Sequence, residues 1–172
     1  EPLIAALKRE FRRMLGEEPL KNPEYPRIVN EKHFARLQGL LAGGEILCGG
    51  RTEGLRMEPT LLLAEGRAAP AMREEIFGPV LCIIPYDTVE EAVSIANDTP
   101  YGLSGYVHAP TKAEAVAVAK RIHSGNVYIN DAPRDVTAPF GGYKQSGIGR
   151  EGGLAGLLEF TQQKAVFDRT TY

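Results

Sequence analysis

Between residues 80 and 130 the chain alternates short apolar runs with helix starts, and this alternation constrains the fold more than any other feature. Residues 80–86 form a short apolar run that suits a buried strand. Thr88-Val-Glu-Glu91 has the spacing of a capping box, in which a hydroxyl and a carboxylate satisfy reciprocal free N–H groups. Val89, Ala92, Val93 and Ala96 follow at helical spacing. Residues 103–108 predict a second strand. Thr111-Lys-Ala-Glu114 predicts a second capping box, with Ala115, Val118, Ala119 and Ile122 at i, i+3, i+4 and i+7. Residues 125–130 predict a third strand. The order is βαβαβ, and helical crossovers favour parallel strands with right-handed connections. The expected fold class is therefore α/β, an open and mainly parallel βαβαβ sheet flanked by helices.

The flanks add elements to this centre. Leu3, Ile4, Leu7, Phe11, Met14 and Leu15 share one helical face, and Gly16 and Pro19 end it. Residues 17–26 are polar and Pro-rich, which predicts a loop. A helix is expected over 31–42, with Asn30 as N-cap and Gly43-Gly44 as its stop. Strands are expected at 45–48 and 58–64, and residues 65–74 read as irregular. Residues 131–150, rich in Pro, Gly, Lys and Ser, hold no period and predict a long loop of the kind that is usually functional or disordered. A short helix over 154–160 and a final strand over 161–167 close the chain.

Composition narrows the function classes. The 172 residues carry 20 Lys plus Arg against 22 Asp plus Glu, so no basic excess speaks for nucleic acid or an anionic membrane. The apolar runs are far too short to span a bilayer, and no cationic stretch followed by an apolar run reads as a signal peptide. The two cysteines make no disulfide framework, and the three histidines share no metal-ligand spacing, so no metal is expected. A cytoplasmic protein is the expectation.

Several motifs carry both a chemical and a structural reading. Gly147-Ile-Gly149-Arg-Glu-Gly152 matches GxGxxG, but a dinucleotide fingerprint follows a buried strand and opens a long helix, and neither flank fits. Gly142-Tyr-Lys-Gln-Ser-Gly147 lacks the Lys-Ser/Thr pair of a P-loop. Cys82, inside an apolar run, reads as a small core residue, and Cys48 has no local partner that would stabilise a thiolate. Glu74-Glu75-Ile-Phe77-Gly78-Pro79 admits two readings: solvated acids with a core Phe, or a carboxylate and an aromatic edge placed beside a ligand. Pro139-Phe140-Gly141-Gly142 reads as a turn with a buried Phe or as a site wall. Asn130-Asp131 lies where open α/β sheets place ligands, but Asn and Asp also favour turns.

Four segments in register decide among these readings. EEIFGPV (74–80), NDTPYGLSG (97–105), GNVYIND (125–131) and PFGGYKQSGIGRE (139–151) together closely resemble the C-terminal part of the aldehyde dehydrogenase superfamily. The stretch YPRIVNEKHFARLQGLL (25–41) is more similar to the dimeric class 3 or fatty-aldehyde branch, and PFGGYKQSGIGRE to the tetrameric branches. The resemblance implies oxidation of an aldehyde to a carboxylic acid with NAD or NADP, through a Cys thiohemiacetal and a thioester that a Glu-activated water hydrolyses. It implies that Glu75 bonds the hydroxyls of the nicotinamide ribose and that Phe77 packs beside the nicotinamide. It implies that Phe140 lines the aldehyde tunnel. Residues 1–160 would belong to the catalytic domain, and 161–172 would form a terminal strand that joins a neighbouring subunit in a homo-oligomer.

The resemblance also implies what these residues lack. The family's nucleophilic Cys, in a Gly-Gln-x-Cys-type motif, lies upstream of the first helix, and its general-base Glu and adenosine-binding domain are equally absent. Cys48 and Cys82 fall at non-catalytic positions. The chain is therefore expected to be a fragment without activity of its own. The alternative is a stand-alone, non-catalytic oligomerising module. In either case the first helix is expected to be the least anchored element, because its family partners include missing segments.

Overall fold

The structure is a computed structural model and describes residues 2–169. The chain forms two compact units, Glu1–Tyr86 and Asp87–Tyr172.

In the first unit, helix α1 (Pro2–Leu15) buries none of its residues, and Leu7 and Phe11 are only half-buried. That is the weak anchoring expected of it. Helix α2 (Glu31–Leu40) starts where Asn30 Oδ1 accepts the His33 N–H at 2.8 Å, as an N-cap should. Strand β1 (Gly44–Cys48) runs antiparallel to β4 (Thr60–Ala64), and β5 (Val80–Ile83) pairs with the other edge of β4 in parallel, from Thr60↔Val80 to Leu63↔Ile83. A small antiparallel ribbon lies between them in sequence, β2 (Thr52–Glu53) with β3 (Arg56–Met57). Two residues per strand leave no periodicity, so the sequence did not announce it. The segment 65–74, expected to be irregular, contains a one-turn helix α3 (Pro70–Arg73), which Pro70 opens with its preset φ. Leu37, Leu40, Met57, Leu62 and Ala71 form the core, with Phe34, Ile76, Val80 and Cys82 packed against it.

In the second unit, α4 (Val89–Asn97) leads to β6 (Ser104–Val107), α5 (Lys112–Ala119) and β7 (Asn126–Ile129). The strands β6 and β7 pair in parallel and α5 packs on both, which makes a βαβ unit. Tyr106 and Tyr128 stack across this pair with ring centroids 5.1 Å apart. Thr111 and Glu114 form the complete capping box. At α4 the exchange is displaced by one residue: Thr88 Oγ1 accepts the Glu91 N–H, but Glu91 Oε2 accepts from Asp87 N rather than from Thr88.

The α/β class with parallel strand pairs stands: β5 pairs with β4 in the first unit, and β6 pairs with β7 in the second. The continuous apolar run of β4 is buried at Thr60, Leu61, Leu62 and Ala64 and demands a strand on each edge, which β1 and β5 supply. Periodicity identifies a strand, not its neighbour. Residues 161–167, expected to form a strand that joins a neighbouring subunit, make no strand within the single chain. A strand exists only by pairing, and this stretch meets no partner edge, so Phe160, Val166 and Phe167 stay exposed. The short helix before it, α6, spans Gly153–Leu158. Residues 170–172 of the expected terminal segment lie outside the described residues.

Candidate functional site

The turn that follows α3 holds two of the three expected site residues, Glu75 and Phe77. Helix α2 presents His33, Arg36 and Leu37 to it, at i, i+3 and i+4, which is one face of a helix. The Arg36 guanidinium bonds the Glu74 carboxylate at 3.1 Å and donates to the carbonyls of Glu75 and Ile76. His33 Nε2 donates to the Phe77 carbonyl at 2.7 Å, which places the proton on Nε2. Beneath them Leu37 is fully buried, and a Cβ on Gly78 would come within 2.5 Å of its side chain. Phe77 has φ +49, a left-handed conformation that bulky residues rarely adopt, and its ring is 71% exposed.

This geometry distinguishes two adjacent acids that residue type alone leaves equivalent. Glu74 is bound by Arg36, whereas the Glu75 carboxylate is exposed and has no hydrogen-bond or ionic partner among the described residues. Glu75 is thus free to accept hydrogen bonds from hydroxyls, and the exposed face of Phe77 on the same turn is free to pack against a planar ring.

Phe140 lies in the second unit. It forms a two-bond bridge with Glu151, N to O in both directions at 2.7 and 2.8 Å. Asn126 Nδ2 supports the neighbouring Pro139 carbonyl at 3.1 Å. The Phe140 ring is half-buried, and the Arg134 guanidinium stands over it at 4.2 Å. Phe140 is therefore held by its backbone, while one ring face is covered by a cation.

The remaining motifs are used by the fold. Lys144, inside the P-loop-like spacing, donates to the carbonyls of Asn97 and Thr99, so it closes the C-terminus of α4. Arg150 Nη1 ties the carbonyls of Gly142 and Gly149. A Cβ on Gly125 would lie 1.6 Å from the Gly141 carbonyl oxygen, so the Gly-rich segment packs directly on the start of β7. Asn130 bonds both the N–H and the carbonyl of Ala109, which resolves Asn130-Asp131 as a tie between strand ends. Sequence reasoning missed His33, Arg36 and Lys144 as partners; the 33/36/37 spacing was the one available signal.

Cys82 is half-buried with its Sγ 3.5 Å from Met72 Sδ, and burial pushes its thiol above the usual range. Cys48 is half-buried at the edge of a cavity of about 380 Å³ that also meets Phe11, Leu15, Arg51 and Glu58. Arg51 Nε and Nη2 both bond Glu58 Oε1 there, at 3.0 and 2.6 Å. Neither Glu75 nor Phe77 borders this cavity. No helix among the described residues is long and apolar enough to cross a membrane.

Comparison with known proteins identifies the family. The model of the aldehyde dehydrogenase family matches residues 1–166. A 3-succinoylsemialdehyde-pyridine dehydrogenase from a Pseudomonas species is 50% identical over 135 residues, covering 75% of this chain and 28% of that protein. A putative aldehyde dehydrogenase from Staphylococcus saprophyticus is 39% identical, covering 96% of this chain and 38% of that protein. Among solved structures, a Mycobacterium tuberculosis aldehyde dehydrogenase complexed with NAD+ is 42% identical with a TM-score of 0.75, covering 85% of this chain and 32% of that one. The Staphylococcus aureus betaine aldehyde dehydrogenase in complex with NAD+ is 34% identical with a TM-score of 0.75, covering 91% and 34%. The chain thus spans about a third of the length of the relatives it matches. Four sequence segments in register, a matching family model and shared structure lead to one conclusion: this chain belongs to the aldehyde dehydrogenase family.

Proposed function

We propose that this chain supplies part of the catalytic domain of an NAD(P)-dependent aldehyde dehydrogenase, which oxidises an aldehyde to a carboxylic acid, and that these 172 residues alone do not turn over. The observation that carries the reading is the turn with an unpartnered Glu75 carboxylate and an exposed Phe77 ring, one residue from the Arg36-bound Glu74. Glu75 would accept from the ribose hydroxyls of NAD or NADP, and Phe77 would pack beside the nicotinamide. When bound, the cofactor supplies the acceptor for the substrate's hydride. Phe140 would face the aldehyde. Residues 1–160 act as catalytic-domain polypeptide, and 161–172 extend toward a neighbouring subunit in a cytoplasmic homo-oligomer. Neither cysteine is equipped as the nucleophile: Cys82 is half-buried with its thiol pushed up, and Cys48 lines a cavity that neither Glu75 nor Phe77 borders.

Titration with NADH tests the cofactor role. Saturable binding that Glu75→Ala weakens supports it, and identical curves for both proteins overturn it. Aldehyde-dependent NADH production by the isolated chain would contradict the inactivity, and its loss in Cys48→Ala would reassign the nucleophile. A second reading is the non-catalytic oligomerising module. The unpaired tail with exposed Phe160, Val166 and Phe167 favours it. A strictly monomeric chain at high concentration in sedimentation would sink it.

A further inference from the structure

We infer that Arg36 and His33 are positioning residues: acting from α2, they hold the 75–77 turn in the shape that presents Glu75 and Phe77 to the cofactor. The inference rests on the cofactor reading of Glu75 and Phe77 given above.

The argument begins with the backbone. Three consecutive carbonyls, of Glu75, Ile76 and Phe77, all accept hydrogen bonds from α2 side chains. A stretch with φ +49 at a phenylalanine belongs to no regular ladder, and such a conformation persists only where its surroundings over-determine it. Here the surroundings are two cationic or polar donors above and Leu37 below, against which Gly78 packs without room for a Cβ. The same Arg36 fork holds the Glu74 carboxylate. One guanidinium thus pairs one acid of the Glu74-Glu75 dipeptide and leaves its neighbour free. A planar fork meets a carboxylate and two carbonyls at once, which the single ammonium of a lysine does not.

The rigid arrangement has a functional consequence. A carboxylate bonds a ligand hydroxyl well only when its backbone is already in place, because ordering a loop on binding subtracts from affinity. Release of the turn would let Phe77 relax to an extended φ and swing Glu75 away from its present direction.

The test uses the chain itself with Arg36→Met, Arg36→Lys, His33→Leu and His33→Gln, each read in two ways. Chymotryptic cleavage after Phe77 reports the turn, with cleavage after the exposed Phe160 and Phe167 as an internal control. NADH titration reports the ligand. Arg36→Met should speed cleavage at Phe77 about tenfold, the worth of a charge-assisted hydrogen bond, with the control sites and far-ultraviolet circular dichroism unchanged. NADH should bind more weakly in the same variant. Arg36→Lys should recover only part of both, and His33→Gln, which keeps a donor, should outperform His33→Leu in both. Unchanged cleavage at Phe77 in Arg36→Met and His33→Leu overturns the inference. Faster cleavage with unchanged NADH affinity, while Glu75→Ala still weakens it, overturns the positioning role and spares the cofactor reading. Equal NADH curves for wild type and Glu75→Ala overturn the cofactor reading itself, and the positioning role with it.

Discussion

Gly78→Ala and Leu37→Ala should each destabilise the chain, and together they should cost clearly less than their sum. The Cβ of an alanine at 78 would stand 2.5 and 2.7 Å from the two methyl groups of Leu37. Leu37 is fully buried, so its methyl groups have little space to yield. Overpacking of this kind costs ~1–3 kcal/mol. The φ of Gly78 lies outside the left-handed range, so the backbone does not add its own penalty. Leu37→Ala removes the same methyl groups from the core shared with Leu40, Met57, Leu62 and Ala71, and a buried Leu→Ala change costs ~2–5 kcal/mol. In the double variant the new methyl enters space that Leu37 has vacated. The clash disappears and part of the cavity is filled, so a coupling energy of at least ~1 kcal/mol is expected, within the range for contacting residues. Urea unfolding followed by far-ultraviolet circular dichroism, at constant slope, measures all four corners of the cycle. Strict additivity would refute the claim that Gly78 is required by contact with Leu37.

Other expectations follow from single features. Burial, with the Glu58 carboxylate nearby, holds the Tyr25 phenol above the usual tyrosine range. A raised folded-state pKa stabilises the fold fully below the unfolded value, and that contribution is lost as pH climbs through the folded value. Phenolate absorbance should therefore show a late step that Tyr25→Phe abolishes, and the wild type should lose stability relative to that variant only at alkaline pH. The Thr137 side chain and backbone hold the Asp135 carboxyl below the usual aspartate range, so this turn should persist in mild acid and loosen as pH falls through the depressed value. The chemical shift of the Thr137 amide proton, followed through an acid titration, reads it. Thr111→Ala should cost ~1 kcal/mol through loss of the α5 N-cap, and Thr111→Ser should recover most of it in the same urea assay. Gly125→Ala, with its Cβ 1.6 Å from the Gly141 carbonyl, should displace the Phe140 segment and break the Phe140–Glu151 bridge, visible as faster amide exchange at both residues.

Local elements were legible because their causes are local. The N-cap at Asn30 and the capping box of Thr111 and Glu114 rest on contacts within a few residues. The site was legible in part. The four ordered segments identified the family and pointed to Glu75, Phe77 and Phe140. Residue type alone gave no physical reason to prefer Glu75 over Glu74, because two adjacent acids look alike until a guanidinium 38 positions away binds one. The GxGxxG match and the P-loop-like spacing, set aside on their sequence context, consist of residues that the fold itself uses. In space Lys144 caps α4 and Arg150 ties its own loop.

By itself the sequence determined the longer helices and strands, the caps of α2 and α5 and the family to which the chain belongs. These depend on side-chain type and spacing, which one dimension contains. Only the tertiary structure decided that β4 lies between β1 and β5, that β6 pairs with β7, and that Glu75 is the free acid on a turn held from α2. Each of these is a choice of neighbour. A strand edge, a carbonyl or a carboxylate carries no mark of its partner in the sequence, because many partners satisfy the same hydrogen bond, and packing in three dimensions selects one.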